Sequence, residues 1–103
     1  MKQLLILTAV FLAISCKPEK ITPTVIAFGS CGHQDAPQPI LALAAERKPD
    51  AFIFLGDNIY GDTKSMDTLR MKYQMLVDKP EFQKLKTSTT LYATCDDHDY
   101  GWN

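Results

Sequence analysis

Three short apolar runs, each followed at once by polar residues, constrain the fold of this chain most. The runs are Thr24–Phe28, Ala51–Leu55 and Leu91–Thr94, and they are rich in β-branched and aromatic residues. Runs of this length and composition, ended by turn-forming residues, are typical of strands. The second run shows no alternation of polar and apolar residues, which favours a strand covered on both faces, as in a parallel sheet.

Segments with helical spacing separate the three runs. The first segment contains Ile40, Leu43, Ala44 and Arg47 and stops before Pro49. The second begins at Ser65, a good helix cap, and has one apolar stripe made of Met66, Leu69, Tyr73, Leu76 and Val77. Residues 81–86 can add one or two further turns. The order of strands and helices therefore predicts an α/β fold, with a parallel sheet and helices packed on it.

The N-terminus has the pattern of an export signal. A basic start precedes the apolar run Leu4–Ile14, whose eleven residues suit a signal-peptide core, whereas a membrane span needs about 20. The segment Ala13–Cys16 resembles the bacterial lipobox, in which the cysteine is lipidated and becomes the new N-terminus. An ordinary secretory peptide cut nearby is the alternative. Either pattern indicates an exported protein.

The leader divides the chain into three parts. We expect a lipoprotein signal peptide at 1–15, a polar tether with two prolines at 16–23, and a folded domain at 24–103. On this interpretation the protein is anchored to a membrane through a lipid on Cys16, and the sequence does not indicate which membrane face or which oligomeric state.

The charge pattern argues against one class of partner. Eleven Lys and Arg against twelve Asp and Glu give a net charge of −1, and no block of basic residues occurs. A nucleic-acid-binding surface is therefore not expected. The other two cysteines, Cys31 and Cys95, do not form a CxxC pair, and the sequence leaves open whether they are free thiols or a disulfide.

Each predicted strand ends in residues that can bind a metal ion. The three endings are Gly29-Ser30-Cys31, Gly56-Asp57-Asn58 and Cys95-Asp96-Asp97-His98. The carboxyl ends of parallel strands meet at one edge, where open α/β sheets bind their ligands. Carboxylates crowded there repel one another by about 4 kcal/mol per close pair at an effective dielectric near 20, and multivalent cations remove that cost. Thiolate, phenolate and carboxylate groups together suit Fe³⁺, with harder divalent ions on the side where all ligands are oxygens.

Every motif also has a plain structural explanation. Gly56-Asp57 can be a turn, Tyr60 can serve packing, and the acidic segment Asp96–Asp99 can be a solvated loop. We expect His33 and Asp62 to belong to their loops rather than to bind metal.

The motifs taken together resemble those of a known family. The segments Phe28–Cys31, Leu55–Asp62 and Asp96–Asn103 are similar, in order and spacing, to the successive metal motifs of the alkaline phosphatase D (PhoD-like) family. These proteins are metallophosphoesterases with a calcineurin-like αββα sandwich. In this sequence Cys95 stands where relatives usually carry Trp.

The resemblance implies a role for each motif residue. Cys31 and Tyr60 would bind Fe³⁺, Asp57 would bridge it to a second ion, and Asp96 and Asn103 would hold that second ion, Ca²⁺. Other divalent metals such as Mn or Zn are the alternative. Asp97 and His98 would be the catalytic residues that shape the site or handle protons. The implied reaction is hydrolysis of a small phosphate ester, monoester or diester, by a metal-bound hydroxide.

The family's domain is longer than this chain, and its remaining ligands come after the position of Asn103. We therefore expect the chain to be an incomplete N-terminal part of such a domain, with three strands and two to three helices. On this view the activity belongs to the full-length parent, and the part is inactive. The rival hypotheses are a non-catalytic exported lipoprotein that binds metal or a partner, and a thiol-based redox lipoprotein that uses Cys31 and Cys95.

Overall fold

Residues 20–101 form a three-stranded parallel sheet with four helices. The computed structural model describes residues 20–101. In chain order the elements are β1 (Ile26–Gly29), α1 (Pro39–Glu46), β2 (Ala51–Phe54), α2 (Met66–Val77), α3 (Pro80–Ser88), β3 (Thr90–Ala93) and α4 (Asp97–Tyr100). The strands pair in the order β1-β2-β3, and both pairings are parallel. The predicted α/β class is confirmed, while the expectations for residues 1–19 and for Asn103 lie outside the described residues.

The fourth helix corrects the expected number of two to three. Its four residues carry no apolar periodicity, so the pattern did not reveal α4. A capping box starts the helix instead: the side chain of Asp96 accepts from the backbone N–H of Asp97 at 2.9 Å, and the Asp99 carboxylate accepts from the N–H of Asp96 at 3.0 Å. No helix in residues 20–101 has both the length and the apolar character needed to cross a membrane.

One face of the sheet carries the larger core. Leu41 and Ala45 of α1, Phe52 of β2 and Leu85 of α3 are buried together, and Leu85 is 0% exposed. Ala27, Phe54 and Leu91 pack against this cluster from the strands. Because side chains alternate along a strand, the strand residues next to Ala27, Phe54 and Leu91 point to the opposite face.

That opposite face is open among the described residues. Ile26, Phe28 and Tyr92 are 54%, 67% and 58% exposed. Ile53, which is paired in register with Phe28 and Tyr92, is only partly buried. The expectation that the second strand is covered on both faces is therefore wrong for residues 20–101, where helices cover one face only.

A second apolar cluster supports the segment that follows β2. Ile59, which is fully buried, packs with Leu69 and Leu76 of α2. The hydroxyl of Ser65 accepts from the N–H of Thr68 at 3.3 Å, which confirms the predicted helix cap. Met66, expected in the apolar stripe, is instead 59% exposed. The helix thus holds the loop after β2 against the body of the domain.

Two leucine truncations test this core. We expect Leu85→Ala to lower the free energy of unfolding by about 2–5 kcal/mol, because it removes a fully buried side chain and leaves a cavity. Leu43, on α1, is 55% exposed, so Leu43→Ala should cost less than about 1 kcal/mol. Urea unfolding followed by circular dichroism measures both changes. Equal losses in the two variants would contradict this description of the core.

Candidate metal centre

The three loops that follow the strands meet at one edge of the sheet. The N–H of Cys31 donates to the carbonyl of Gly56 at 3.3 Å, and the N–H of Gly32 donates to the carbonyl of Asp57 at 2.9 Å. The third loop is equally close, since a Cβ added to Gly56 would lie 2.8 Å from the Cβ of Asp96. Gly56 also has a φ of +109°, which other residues rarely adopt. The predicted convergence of the three strand endings is thus confirmed.

Cys31 and Asp57, whose loops are hydrogen-bonded to each other, both have left-handed backbone conformations. Cys31 has a φ of 59° and Asp57 a φ of 49°. Such conformations cost about 1–3 kcal/mol each and persist where the surrounding structure holds them, often at functional sites. Here the hydrogen bonds between the first two loops hold them.

Asp57, Asp97 and His98 form a group that can hold a metal ion. One ligand atom from each lies within 4.8 Å of the others, on the loop after β2 and on α4. Oδ1 of Asp57 is buried, and no hydrogen-bond donor in residues 20–101 reaches it. A buried carboxylate oxygen without a partner is costly, and a cation bound between the three residues would remove that cost. The donor set therefore fits a multivalent ion.

The predicted iron ligands lie beside this group. The thiol of Cys31 is 3.7 Å from Oδ2 of Asp57. The Tyr60 ring is stacked on the His33 ring at 5.0 Å and contacts the His98 ring at 4.5 Å. Burial, and then the negative charges that Cys31 and Asp57 can carry, raise the pKa of Tyr60. A phenolate there would need a nearby cation to offset these effects.

The remaining predicted site residues have other positions. Asp96 caps α4 with its side chain and is not part of the three-residue group. Asp97 and His98, expected to shape the site or handle protons, are two members of that group. Cys31 and Cys95 are both free and exposed, so the disulfide alternative is wrong.

Asp62 contributes more than the expected loop turn. Its Oδ1 lies 2.7 Å from Nδ1 of His98. This contact raises the pKa of His98, with the hydrogen bond as the largest cause. Because Nδ1 faces Asp62, Nε2 is the ring atom left for an ion or a substrate oxygen.

Two further residues hold the backbone of the loop after β2. The side chain of Gln34, 2% exposed, accepts from the N–H of Tyr60 at 2.9 Å and donates to its carbonyl at 3.3 Å. Nζ of Lys72 donates to the carbonyls of Tyr60 and Gly61 at 2.9 and 2.8 Å. Sequence reasoning missed both, because a glutamine in a turn and a lysine on a helix carry no signal of a distant partner.

An apolar cavity of about 1070 Å³ lies between β1 and α1. Phe28, Leu41, Phe52 and Phe54 are among its lining residues, and it reaches Cys31 at one end. Asp57, Asp97 and His98 do not line it. The cavity is therefore separate from the group that can bind a metal ion.

Replacing the partner of His98 tests the carboxylate–imidazole contact. In metal-free protein we expect the pKa of His98 to lie above its usual value of about 6.5, and Asp62→Asn should lower it. The contact stabilises the charged imidazole ring. Its contribution to the free energy of unfolding is therefore complete at low pH and is lost as the pH rises through the raised pKa. Titration of the imidazole signals by NMR measures the shift. The exposed Asp67 provides the control, and an Asp67→Asn variant with the same effect would contradict the assignment.

Comparison with known proteins found no relative of this chain. No protein-family model, no curated protein sequence and no solved structure matches the chain. The argument about function therefore depends on the site itself and on the motifs of the sequence.

Proposed function

We propose that the full-length protein containing this chain hydrolyses phosphate esters at a metal centre, as a member of the alkaline phosphatase D family. The observation that carries the proposal is the group formed by Asp57, Asp97 and His98, in which a buried Asp57 oxygen has no donor within residues 20–101. The motif residues of the resemblance supply this group from the loop after β2 and from α4. In this proposal the protein is exported and anchored to a membrane by a lipid on Cys16.

The metals proposed are Fe³⁺ and Ca²⁺, with Mn or Zn as the alternative. The thiol of Cys31 lies next to Asp57, and Tyr60 contacts His98, so soft and phenolic ligands lie on one side of the group. That donor set favours Fe³⁺. Asp96 and Asn103 would hold the second ion through their oxygens, and Asp57 would contribute to holding both ions.

The chain's own residues have distinct proposed roles. When bound, the ions supply a hydroxide nucleophile and withdraw charge from a phosphoryl oxygen. Asp57 and Asp97 provide the negative charge that holds cations at the edge of the sheet. In this proposal the carboxylates hold the ion, which leaves Nε2 of His98, oriented by Asp62, to exchange a proton with a leaving-group oxygen.

The open face of the sheet supports the sandwich architecture that the resemblance implies. Parallel sheets are normally covered on both faces, whereas Ile26, Phe28 and Tyr92 here are more than half exposed. In an αββα sandwich a second sheet packs on such a face. We propose that the rest of the domain supplies that layer and the further metal ligands.

Loss of the bridging carboxylate tests the proposed chemistry. In the full-length protein, Asp57→Asn should reduce metal content and lower hydrolysis of p-nitrophenyl phosphate and bis(p-nitrophenyl) phosphate at least 100-fold, because the amide cannot replace the anionic oxygen. Elemental analysis and release of nitrophenol measure the two effects, with Asp67→Asn as the control. Full activity in the Asp57 variant would overturn the proposal. Metal binding without hydrolysis of either ester in the wild type would instead favour the non-catalytic lipoprotein.

The two thiols of the domain provide a matched pair for the iron site. We expect Cys31→Ala to remove iron together with its visible charge-transfer absorption, because the thiol beside Asp57 is lost. Cys95→Ala changes a thiol that is also exposed and should keep the iron. Visible spectra and iron analysis of the two variants measure this. Stoichiometric iron in the Cys31 variant would contradict its role as a ligand.

A further inference from the structure

The carboxylate of Asp99, to which the sequence motifs assigned no role, forms several hydrogen bonds near the candidate metal centre. Asp99 is 3% exposed, and its carboxylate lies between the loop after β2 and the start of α4. Asp57 belongs to the first of these segments, and Asp97 and His98 belong to the second. Asp99 therefore lies where the two parts of the metal-binding group are joined.

The carboxylate of Asp99 accepts hydrogen bonds from three parts of the chain. Oδ1 accepts from the backbone N–H groups of Asn58 and Ile59 at 2.9 and 3.2 Å, and from the hydroxyl of Tyr73 at 3.3 Å. Oδ2 accepts from the N–H of Asp96 at 3.0 Å and from Nδ2 of Asn58 at 3.3 Å. The side chain of Asn58 also donates to the carbonyl of Thr94 at 2.8 Å, which ties the end of β3 to the same cluster.

Two of these donor residues are immediate chain neighbours of the candidate ligands. Asn58 follows Asp57, and Asp96 precedes Asp97, so the backbone on both sides of the group is bound to a single carboxylate. Both segments are short, and the first contains the strained residue Asp57, whose φ is 49°. Hydrogen bonds of this kind fix the spacing of the ligand atoms more precisely than apolar packing alone would.

We propose that Asp99 is a positioning residue that sets the distance between Asp57 and the pair Asp97–His98, and thereby the affinity of the site for its ion. The inference rests on the metal-binding part of the proposed function and not on ester hydrolysis. Asp99 itself does not touch the ion, because its two oxygens are occupied by donors. Burial and the adjacent Asp99 charge raise the pKa of Tyr73, so that hydroxyl remains a donor to the carboxylate.

Asparagine at position 99 has almost the same shape but cannot accept at both ends. With its oxygen facing Asn58 and Ile59, its NH₂ group faces the N–H of Asp96 and the amide of Asn58, which are also donors. With the amide reversed, the backbone N–H groups of Asn58 and Ile59 lose their acceptor instead, while the Tyr73 hydroxyl keeps the backbone carbonyl of residue 99 at 3.2 Å. Either orientation forces the two segments apart or leaves buried donors unpaired. The substitution thus changes the spacing of the ligands with little change in volume.

Titration with Mn²⁺ measures the effect in the full-length protein. We expect Asp99→Asn to weaken Mn²⁺ binding about 10–100-fold, followed by the electron paramagnetic resonance signal of the free ion. Substitution with Co²⁺ gives a second readout, since a changed ligand geometry alters the visible absorption of the bound ion. Asp67→Asn is the isosteric control at an exposed position. Leu85→Val is the stability control, because it weakens the core on the covered face of the sheet and changes no residue of the loops.

The outcomes separate positioning from stability and from the proposed function. Weaker Mn²⁺ binding and a changed Co²⁺ spectrum in folded Asp99→Asn, with both controls like the wild type, support the inference. Wild-type affinity and an unchanged spectrum in that variant overturn it and leave the proposed function standing. An equal loss of affinity in Leu85→Val also overturns it, since stability alone would then explain the effect. A wild-type protein that binds neither ion overturns both the inference and the proposed function.

Discussion

Parallel pairing of three short strands is the constraint on which the rest of the structure depends. In a parallel sheet every strand ends at the same edge, so the loops that leave β1, β2 and β3 meet there. Backbone hydrogen bonds between the first two loops continue this pairing beyond the strands. The acidic residues are distant in the chain and close in space for this reason. Without helical crossovers, which return the chain to the start of the next strand, consecutive strands would end at opposite edges of the sheet.

Crowding of polar groups at this edge has two physical consequences. Negative charge accumulates around Asp57, where a buried carboxylate oxygen has no donor among the described residues. The backbone that carries it is strained, and three neighbouring side chains, Gln34, Lys72 and Asp99, hold it in place. A cation would remove the cost of the unpaired carboxylate oxygen, and the hydrogen bonds offset the backbone strain. The same arrangement therefore explains both why an ion is favoured here and how its ligands are kept in position.

The proposed phosphoesterase needs more than the described residues contain. The covered face of the sheet has a well-packed core, whereas the other face exposes Ile26, Phe28 and Tyr92. A second layer on that face and additional ligands at the same edge would complete both the core and the proposed centre. In that proposal stability and function would both depend on the added layer.

Much of this protein was readable from local pattern. Apolar runs and helical spacing placed the strands and the first three helices within one or two residues, and Ser65 was correctly identified as a cap, because these features depend on neighbours in the chain. The meeting of the strand endings followed from the parallel order. Only the tertiary structure decided that α4 forms, that Asp62 contacts His98, and that Gln34, Lys72 and Asp99 hold the loops. Those contacts join residues 11 to 41 positions apart or arise from capping by a carboxylate, and a side chain's distant partner leaves no periodic signal in the sequence.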